Sequence, residues 1–351
     1  MQLDEFERFR ILDAQDMLGH IDGLPGQLKE AWNLGLSLPL PPMSAISSVV
    51  VCGMGGSAIG ADLLAAYLAD KVEVPVVIHR DYGLPAFARG RDTLVVLSSH
   101  SGNTEETLSA LEEGLKRNCQ LVGITTGGQV FNQLSQAGLP VWQFRHQGQP
   151  RAAVGFSFGL LLALFTRLGL VSDPSGDVND TVATMQDVAA SLRANVPVKD
   201  NPAKRLAGQM MGRVPTFFGS GCMAVVARRW KCQINEVAKT AAAFEVLPEA
   251  DHNTVAGIYH PEQSLSQEIR IFLEAAQNHP RNQKRSEVTR QIMMVEGLNT
   301  DVVQARGKTA LAQMWSTLLF GDYTAYYLAI SYDVDPTPIE PINVLKAAMK
   351  K

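Results

Sequence analysis

The sequence predicts an α/β protein of two tandem domains, each a doubly wound parallel sheet, with a helical lead-in before them and a short tail after. Three observations predict it. The chain has 351 residues, more than one ordinary compact core accommodates. From Ala45 onward, short β-branched runs alternate with glycine and serine turns and amphipathic segments, the grammar of a parallel sheet covered by helices on both faces. That grammar then restarts. VPTFFGSGCMAVVARRWK (214–231) repeats the strand–glycine–helix order of ISSVVVCGMGGSAIGADLL (46–64), with Gly219 where Gly53 stood, a weak internal repeat.

Taken in order, residues 1–44 are a helical lead-in. Phe6, Phe9, Ile11 and Leu12, then Leu24, Leu28 and Trp32, carry a helical period, and the run LPLPPM that follows cannot continue a helix. The first domain spans 45–195. Its strands are read at SSVVVCG, VEVPVVIH, TLVVLSS and QLVGITT, with helices at GSAIGADLLAAYLA and NTEETLSALEEGLKR between them. The apolar stretch from Ala152 to Phe165 meets Arg167 before it reaches the ~20 residues of a membrane span, so it reads as a buried helix. The second domain spans 196–332, with a strand at EIRIFLEA and helices around 282–294 and 308–330. A proline-broken turn and a short helix form the tail, 333–351.

Composition excludes several function classes. A formal charge of −4 supplies no global basic field for a nucleic-acid backbone, so an anionic ligand must be held by a local site. The four cysteines form neither a CxxC pair nor a disulfide framework, and the opening MQLDEFERFR is too charged for a secretory signal. A reducing, cytoplasmic setting is the expectation. The seven histidines and four cysteines show no metal-ligand spacing such as HExxH, and no GxxxxGK[ST] phosphate loop occurs.

Two segments point to an anion. Gly53-Met-Gly55-Gly56-Ser57-Ala58 follows a buried strand and opens a helix, where glycines admit a ligand to the backbone and helix N–H groups favour negative charge. The same residues fit a dinucleotide fingerprint, or simple close packing of strand on helix. The dinucleotide reading wants an acidic residue at the end of the next strand, where this chain has His79 and Arg80 with Asp81 beyond. Ser98-Ser99-His100-Ser101-Gly102-Asn103-Thr104-Glu105-Glu106-Thr107 is the sharper signal: hydroxyls and backbone N–H groups at a strand-to-helix turn can satisfy a phosphate without lysine or metal. Its alternative is a plain helix cap by Ser101 or Thr104. A third segment, Gln233-Ile-Asn235-Glu236-Val-Ala-Lys239-Thr240, ends a helical run carrying Arg228, Arg229 and Lys231, and by itself reads more readily as a solvated helix face than as a site.

Together these three segments resemble the sugar isomerase (SIS) domain proteins, specifically the bifunctional phosphoglucose/phosphomannose isomerases. That family shows GMGGSAIG, SYSGNTEET, NENAKT, a downstream HN pair and a DPTP-containing tail, and counterparts stand here in that order from Gly53 to Lys346. The chain departs from the pattern at His100, where Tyr is usual, at Val237, which replaces the second Asn of NEN, and at Thr254, where an acid is common. The resemblance implies flavodoxin-like SIS domains and an aldose–ketose isomerase that interconverts glucose 6-phosphate, and mannose 6-phosphate, with fructose 6-phosphate through a cis-enediolate. It places the base at Glu236, the enediolate-holding cation at Arg151, and ring opening at His252 assisted by Lys346 of a tail that returns to the site. Phosphate contacts fall to Ser57, Ser99, Ser101 and Thr104, with Gly55 and Gly56 giving backbone approach. No metal or other cofactor is expected. A homodimer is implied, with His252 a candidate to reach the partner's site, and neither nucleic acid nor membrane is a partner. Thr240 and its neighbours are where sugar selectivity would be sought.

Two rivals stand beside this reading: an isomerase for a single phosphosugar, and a non-catalytic sugar-phosphate sensor. Sensors of that kind usually carry a DNA-reading module, whereas residues 1–40 are not basic and show no helix-turn-helix pattern; nor has a sensor any use for Glu236.

Overall fold

A computed structural model describes residues 3–349, so the first two residues of the lead-in and the last two of the tail lie outside the described residues. The chain divides into two compact units, one formed by 24–182 and the other by 1–23 with 183–351. The division falls inside one helix, at 182/183 rather than at 195/196. The lead-in is also shared: its third helix belongs to the first unit and its first two to the second.

In the 24–182 unit, helix α3 (Leu24–Ser37) precedes strand β1 (Ser48–Cys52), helix α4 (Gly55–Leu68), strands β2 (Val76–His79) and β3 (Thr93–Ser99), helix α5 (Glu105–Lys116), strand β4 (Gln120–Thr125), helix α6 (Gly128–Gln136) and strand β5 (Val141–Gln143). A 3-10 turn, Pro150–Ala153, leads into helix α7 (Val154–Arg167), and helix α8 (Ser175–Leu192) crosses to the other unit. The sheet is wholly parallel with order β2-β1-β3-β4-β5, the doubly wound flavodoxin-like order. Every residue of β1 and β3 is buried, which explains why both strands are uninterrupted apolar or hydroxyl runs rather than alternating ones. Helix α7 buries every residue from Val154 to Phe165. It packs between α3 and α4, so its apolar surface is covered all round by protein.

The other unit begins with α1 (Phe6–Leu12) and α2 (Met17–Asp22), and resumes with α9 (Pro202–Met210), β6 (Val214–Ser220), α10 (Cys222–Glu236), β7 (Ala243–Leu247), the short α11 (Glu262–Leu265), β8 (Glu268–Glu274), α12 (Pro280–Val295), β9 (Thr300–Gln304), α13 (Ala310–Ser331) and α14 (Glu340–Met349). Its four parallel strands are ordered β7-β6-β8-β9, the first four positions of the same doubly wound order. The weak repeat in the sequence is thus a repeat of topology. Helix α13 is the core helix here, packed against α9 and α10, and two of its buried hydroxyls bond within the helix: Thr317 Oγ1 donates to Gln313 O at 2.9 Å and Thr324 Oγ1 to Phe320 O at 2.8 Å. Among the described residues, no helix is long and apolar enough to cross a membrane.

Candidate functional site

In the first unit, β1 and β3 are neighbours in register, Cys52 opposite Leu97, so the turns after them leave from the same edge. Right-handed crossovers send α4 and α5 to opposite faces of the sheet, and the crevice between the two turns is the topological switch point where doubly wound sheets bind ligands. Gly55 opens α4 at φ +51°, a conformation that side chains rarely tolerate. Ser57 is buried in the first turn of α4, and its Oγ accepts from His100 N at 3.2 Å, tying the two turns together.

The turn after β3 is braced internally. Ser99 Oγ lies 3.0 Å from Thr104 Oγ1 and accepts from Gly102 N at 3.1 Å, while Asn103 N donates to Ser101 Oγ at 3.2 Å. Gly102, at φ +66°, leaves no room for a side chain, since a Cβ there would fall 1.8 Å from Gly127 O. Thr104 occupies the N-cap position of α5 yet makes no side-chain capping bond; its hydroxyl points to Ser99 instead. The plain-cap alternative therefore gives way to a cluster of hydroxyls at the open end of the sheet. At the end of β2 stands His79 rather than an acid; beyond it Arg80 pairs with Asp62 and Asp81 Oδ1 accepts from Tyr82 N at 2.8 Å.

Arg151 joins this group. It is 2% exposed, in the 3-10 turn that lies on α4, and a Cβ on Gly56 would fall 2.4 Å from Pro150 O and 3.0 Å from Arg151 N. Gly56 is glycine because the backbone that carries Arg151 passes directly over it.

In the second unit, Glu236 is the last residue of α10 and is half-buried. Its helix is fixed at several points. Arg229 Nη2 and Asp322 Oδ2 form a 2.9 Å ion pair with both side chains nearly fully buried, and Trp230 Nε1 donates to Thr317 O at 3.0 Å. Burial pushes the Asp322 carboxyl above its ordinary value, and Arg229 opposes that push. Removing one partner of such a pair costs about 3–5 kcal/mol. Arg229, Gln233 and Glu236 share one helix face by their spacing, so the pair sets the rotation at which α10 presents Glu236.

The residues after Glu236 form the helix stop. Lys239 sits at φ +56°, and its Nζ donates to Glu236 O at 2.6 Å and to Pro336 O at 3.2 Å. Asn235 Nδ2 donates to Thr240 O at 2.8 Å, and Thr240 Oγ1 to Ala238 O at 3.0 Å. Lys239 thus satisfies the open carbonyls of the helix end and binds the Asp335-Pro336-Thr337-Pro338 segment to it.

His252 is exposed at the end of a 3-10 turn, Glu249–His252. The turn is anchored by Asp251, which accepts from Thr289 Oγ1 at 2.7 Å and Arg285 Nη1 at 2.9 Å. Lys346 stands in the last turn of α14, a helix with no buried residue. Among the described residues, no group of three or more His, Cys, Asp or Glu is placed to hold a metal ion.

Comparison with known proteins decides the family. A family model described as the bacterial phospho-glucose isomerase C-terminal SIS domain matches residues 199–349. A bifunctional phosphoglucose/phosphomannose isomerase of Caldicellulosiruptor bescii is 37% identical over 334 residues, covering 94% of this chain and 98% of that protein. This chain belongs to the bifunctional phosphoglucose/phosphomannose isomerase family. The Aquifex aeolicus protein of the same name is 30% identical over 310 residues, covering 88% of this chain and 92% of its own. Among solved structures, a hypothetical protein from Thermus thermophilus superimposes with a TM-score of 0.76 at 17% identity, covering 99% of this chain and 94% of that one. That likeness shows a common fold.

As a member of the bifunctional phosphoglucose/phosphomannose isomerase family, the chain groups its phosphate-site candidates and Arg151 in one unit, and Glu236, His252 and Lys346 in the other. Sequence reasoning missed Lys239 and Asp322 as the groups that fix Glu236, and His146, which bonds to His100. Lys239 stood inside a recognised motif, but its left-handed backbone had no signal without a glycine. Asp322 had one: an acid inside an otherwise apolar run.

Proposed function

We propose that this protein interconverts glucose 6-phosphate and mannose 6-phosphate with fructose 6-phosphate, by proton transfer between C1 and C2 through a cis-enediolate. The observation that carries the reading is the hydroxyl-lined crevice between the turns after β1 and β3, beside a buried arginine. A phosphate dianion there meets the N-terminal ends of α4 and α5, whose dipoles and N–H groups favour it. Ser57, Ser99, Ser101 and Thr104 donate to its oxygens, and Gly55 lets it approach the backbone, while the space over Gly56, expected to serve the same end, is taken by Pro150 and Arg151.

With the phosphate held, the sugar carbons need three groups. Glu236 takes the proton from C2 of the aldose and returns it to C1, both carbons being served from one face. Arg151 holds the negative charge that develops on the enediolate oxygens, where a buried guanidinium is worth far more than in water. His252 opens the sugar ring, because imidazole both donates and accepts near neutral pH, and Lys346 assists. The reaction creates its own charge and discharges it, so these side chains suffice without a redox partner. A homodimer completes the reading, with His252 exposed and available to the partner's substrate. The free cysteines suit the reducing cytoplasm.

The test is a coupled assay on fructose 6-phosphate that detects the two aldose phosphates separately, for wild type and Glu236→Gln. Both products from wild type, with both lost about 10²–10⁴-fold in the variant, is the expected result. Fructose 6-phosphate that binds without yielding either product would overturn the reading in favour of a sensor.

A further inference from the structure

We propose that His146, held by His100, is a positioning residue that sets the backbone carrying Arg151; this rests on the role given to Arg151 above. His100 Nε2 and His146 Nδ1 are 3.0 Å apart with their rings edge to face. Of the residues between Phe144 and Arg151, Arg145, Gln147 and Gly148 are exposed. The stretch is a strap fastened at few places. Its start is fixed by Phe144, stacked on Phe156 at 4.9 Å. Its end is fixed by Gln27, which donates to Ala152 O at 2.9 Å and accepts from Gly155 N at 2.7 Å. Between these points the half-buried His146 is hydrogen-bonded, and its partner stands in the phosphate turn itself.

His100 is well placed to act as that anchor. Its N–H donates to Ser57, its carbonyl accepts from Thr126 N at 3.0 Å and Thr126 Oγ1 at 2.7 Å, and its ring lies against Phe144. An imidazole–imidazole bond requires one nitrogen to donate and the other to accept, which fixes both rings relative to each other. The phosphate turn and the arginine strap are thereby joined. Positioning of this kind matters because displacing a catalytic group by about 1 Å can cost as much as 10²-fold in rate.

The experiment is a double-mutant cycle on kcat and KM for fructose 6-phosphate with full-length protein: His146→Ala, Arg151→Ala and the two combined, with His146→Asn as the conservative variant. Expected are a fall in kcat of about ten- to a hundredfold in His146→Ala with KM within about twofold, recovery of most of that loss in His146→Asn, whose amide reaches where Nδ1 lies, and no further loss when His146→Ala is added to Arg151→Ala. If His146→Ala costs the same factor with or without Arg151, or acts on KM alone, the positioning role is overturned while the role of Arg151 stands. If Arg151→Ala itself retains kcat, the role of Arg151 falls and the positioning role with it. His100→Gln supplies the same measurement from the other side of the bond should His146→Ala fail to fold, and retained kcat in His100→Gln alongside lost kcat in His100→Ala is the expected pattern.

Discussion

Two crevices in this molecule share one backbone design and differ in what fills them. Each lies beyond the carboxyl ends of the first and third strands of a parallel sheet, between β1 and β3 in one unit and β6 and β8 in the other. Each opens its first helix with a glycine of nearly the same positive φ, Gly55 at +51° and Gly221 at +52°. In the first unit the following turn offers hydroxyls, and Gly55 and Ser101 at its mouth are exposed. In the second, Ala275-Ala276-Gln277-Asn278 takes its place, and the Asn278 side chain fills the space: Nδ2 donates to Ser220 Oγ at 3.0 Å, while Oδ1 accepts from Cys222 Sγ at 3.4 Å and would meet any Cβ on Gly221 at 2.7 Å. A helix N-terminus over a switch point binds an anion only where the loops leave it uncovered. The second unit instead contributes the opposite end of its first helix, where Glu236 stands. A carboxylate at a helix C-terminus opposes the dipole by about 0.3–1 kcal/mol.

Matched substitutions can break this comparison. The largest effect is expected from placing a carboxylate two residues after each strand. Ser101→Asp sets like charge against the phosphate, at a cost of several kcal/mol, and should raise KM for fructose 6-phosphate about a hundredfold or more; Ala276→Asp, at the corresponding position after β8, should leave KM within about twofold. Equal effects would mean that both crevices bind.

Removing a polar group from each crevice sharpens the contrast. Ser99→Ala takes away a hydrogen bond to a charged ligand, worth about 1.5–3 kcal/mol, and should raise KM about ten- to a hundredfold. Asn278→Ala leaves the buried Ser220 hydroxyl without that partner and should lower unfolding stability by about 1–3 kcal/mol, read from denaturant midpoints, with KM unchanged.

The smallest effect concerns pH. Burial holds the His100 imidazole below its ordinary value, so the unfolded chain binds this proton more readily than the folded one. Its contribution to stability is complete above the ordinary imidazole pKa near 6.5 and is lost as pH falls from there toward the depressed folded value. Melting temperature should therefore decline on acidification through that window, and the decline should shrink in His100→Gln. The second crevice faces its space with Ser220, Cys222 and Asn278. Burial raises the Cys222 thiol to about 11, so that crevice adds no step in the same window.

Much of this was legible in the residues themselves. The β-branched runs became β1, β3 and β4 because strands buried on both faces must be continuously apolar, and the proline run after Trp32 ended α3 at Ser37. SGNTEET and GMGGSA marked the turns after β3 and β1, because glycine at positive φ and clustered hydroxyls are local features of those turns. Less legible was the division of the chain. Helices α1 and α2 join the second unit through α13, an association between segments about 300 residues apart that no local period encodes.

The sequence by itself determined the order of strands and helices, the two glycine-led turns and the identity of the charged groups available for chemistry, because backbone conformation and hydrophobic period are set by near neighbours. Only the tertiary structure decided that Asn278 fills the second crevice, that Lys239 ties the end of α10 to Pro336, and that His100 meets His146. Those contacts join residues about 46 to 97 positions apart, and such pairs are chosen by packing of whole elements rather than by anything in the segments themselves.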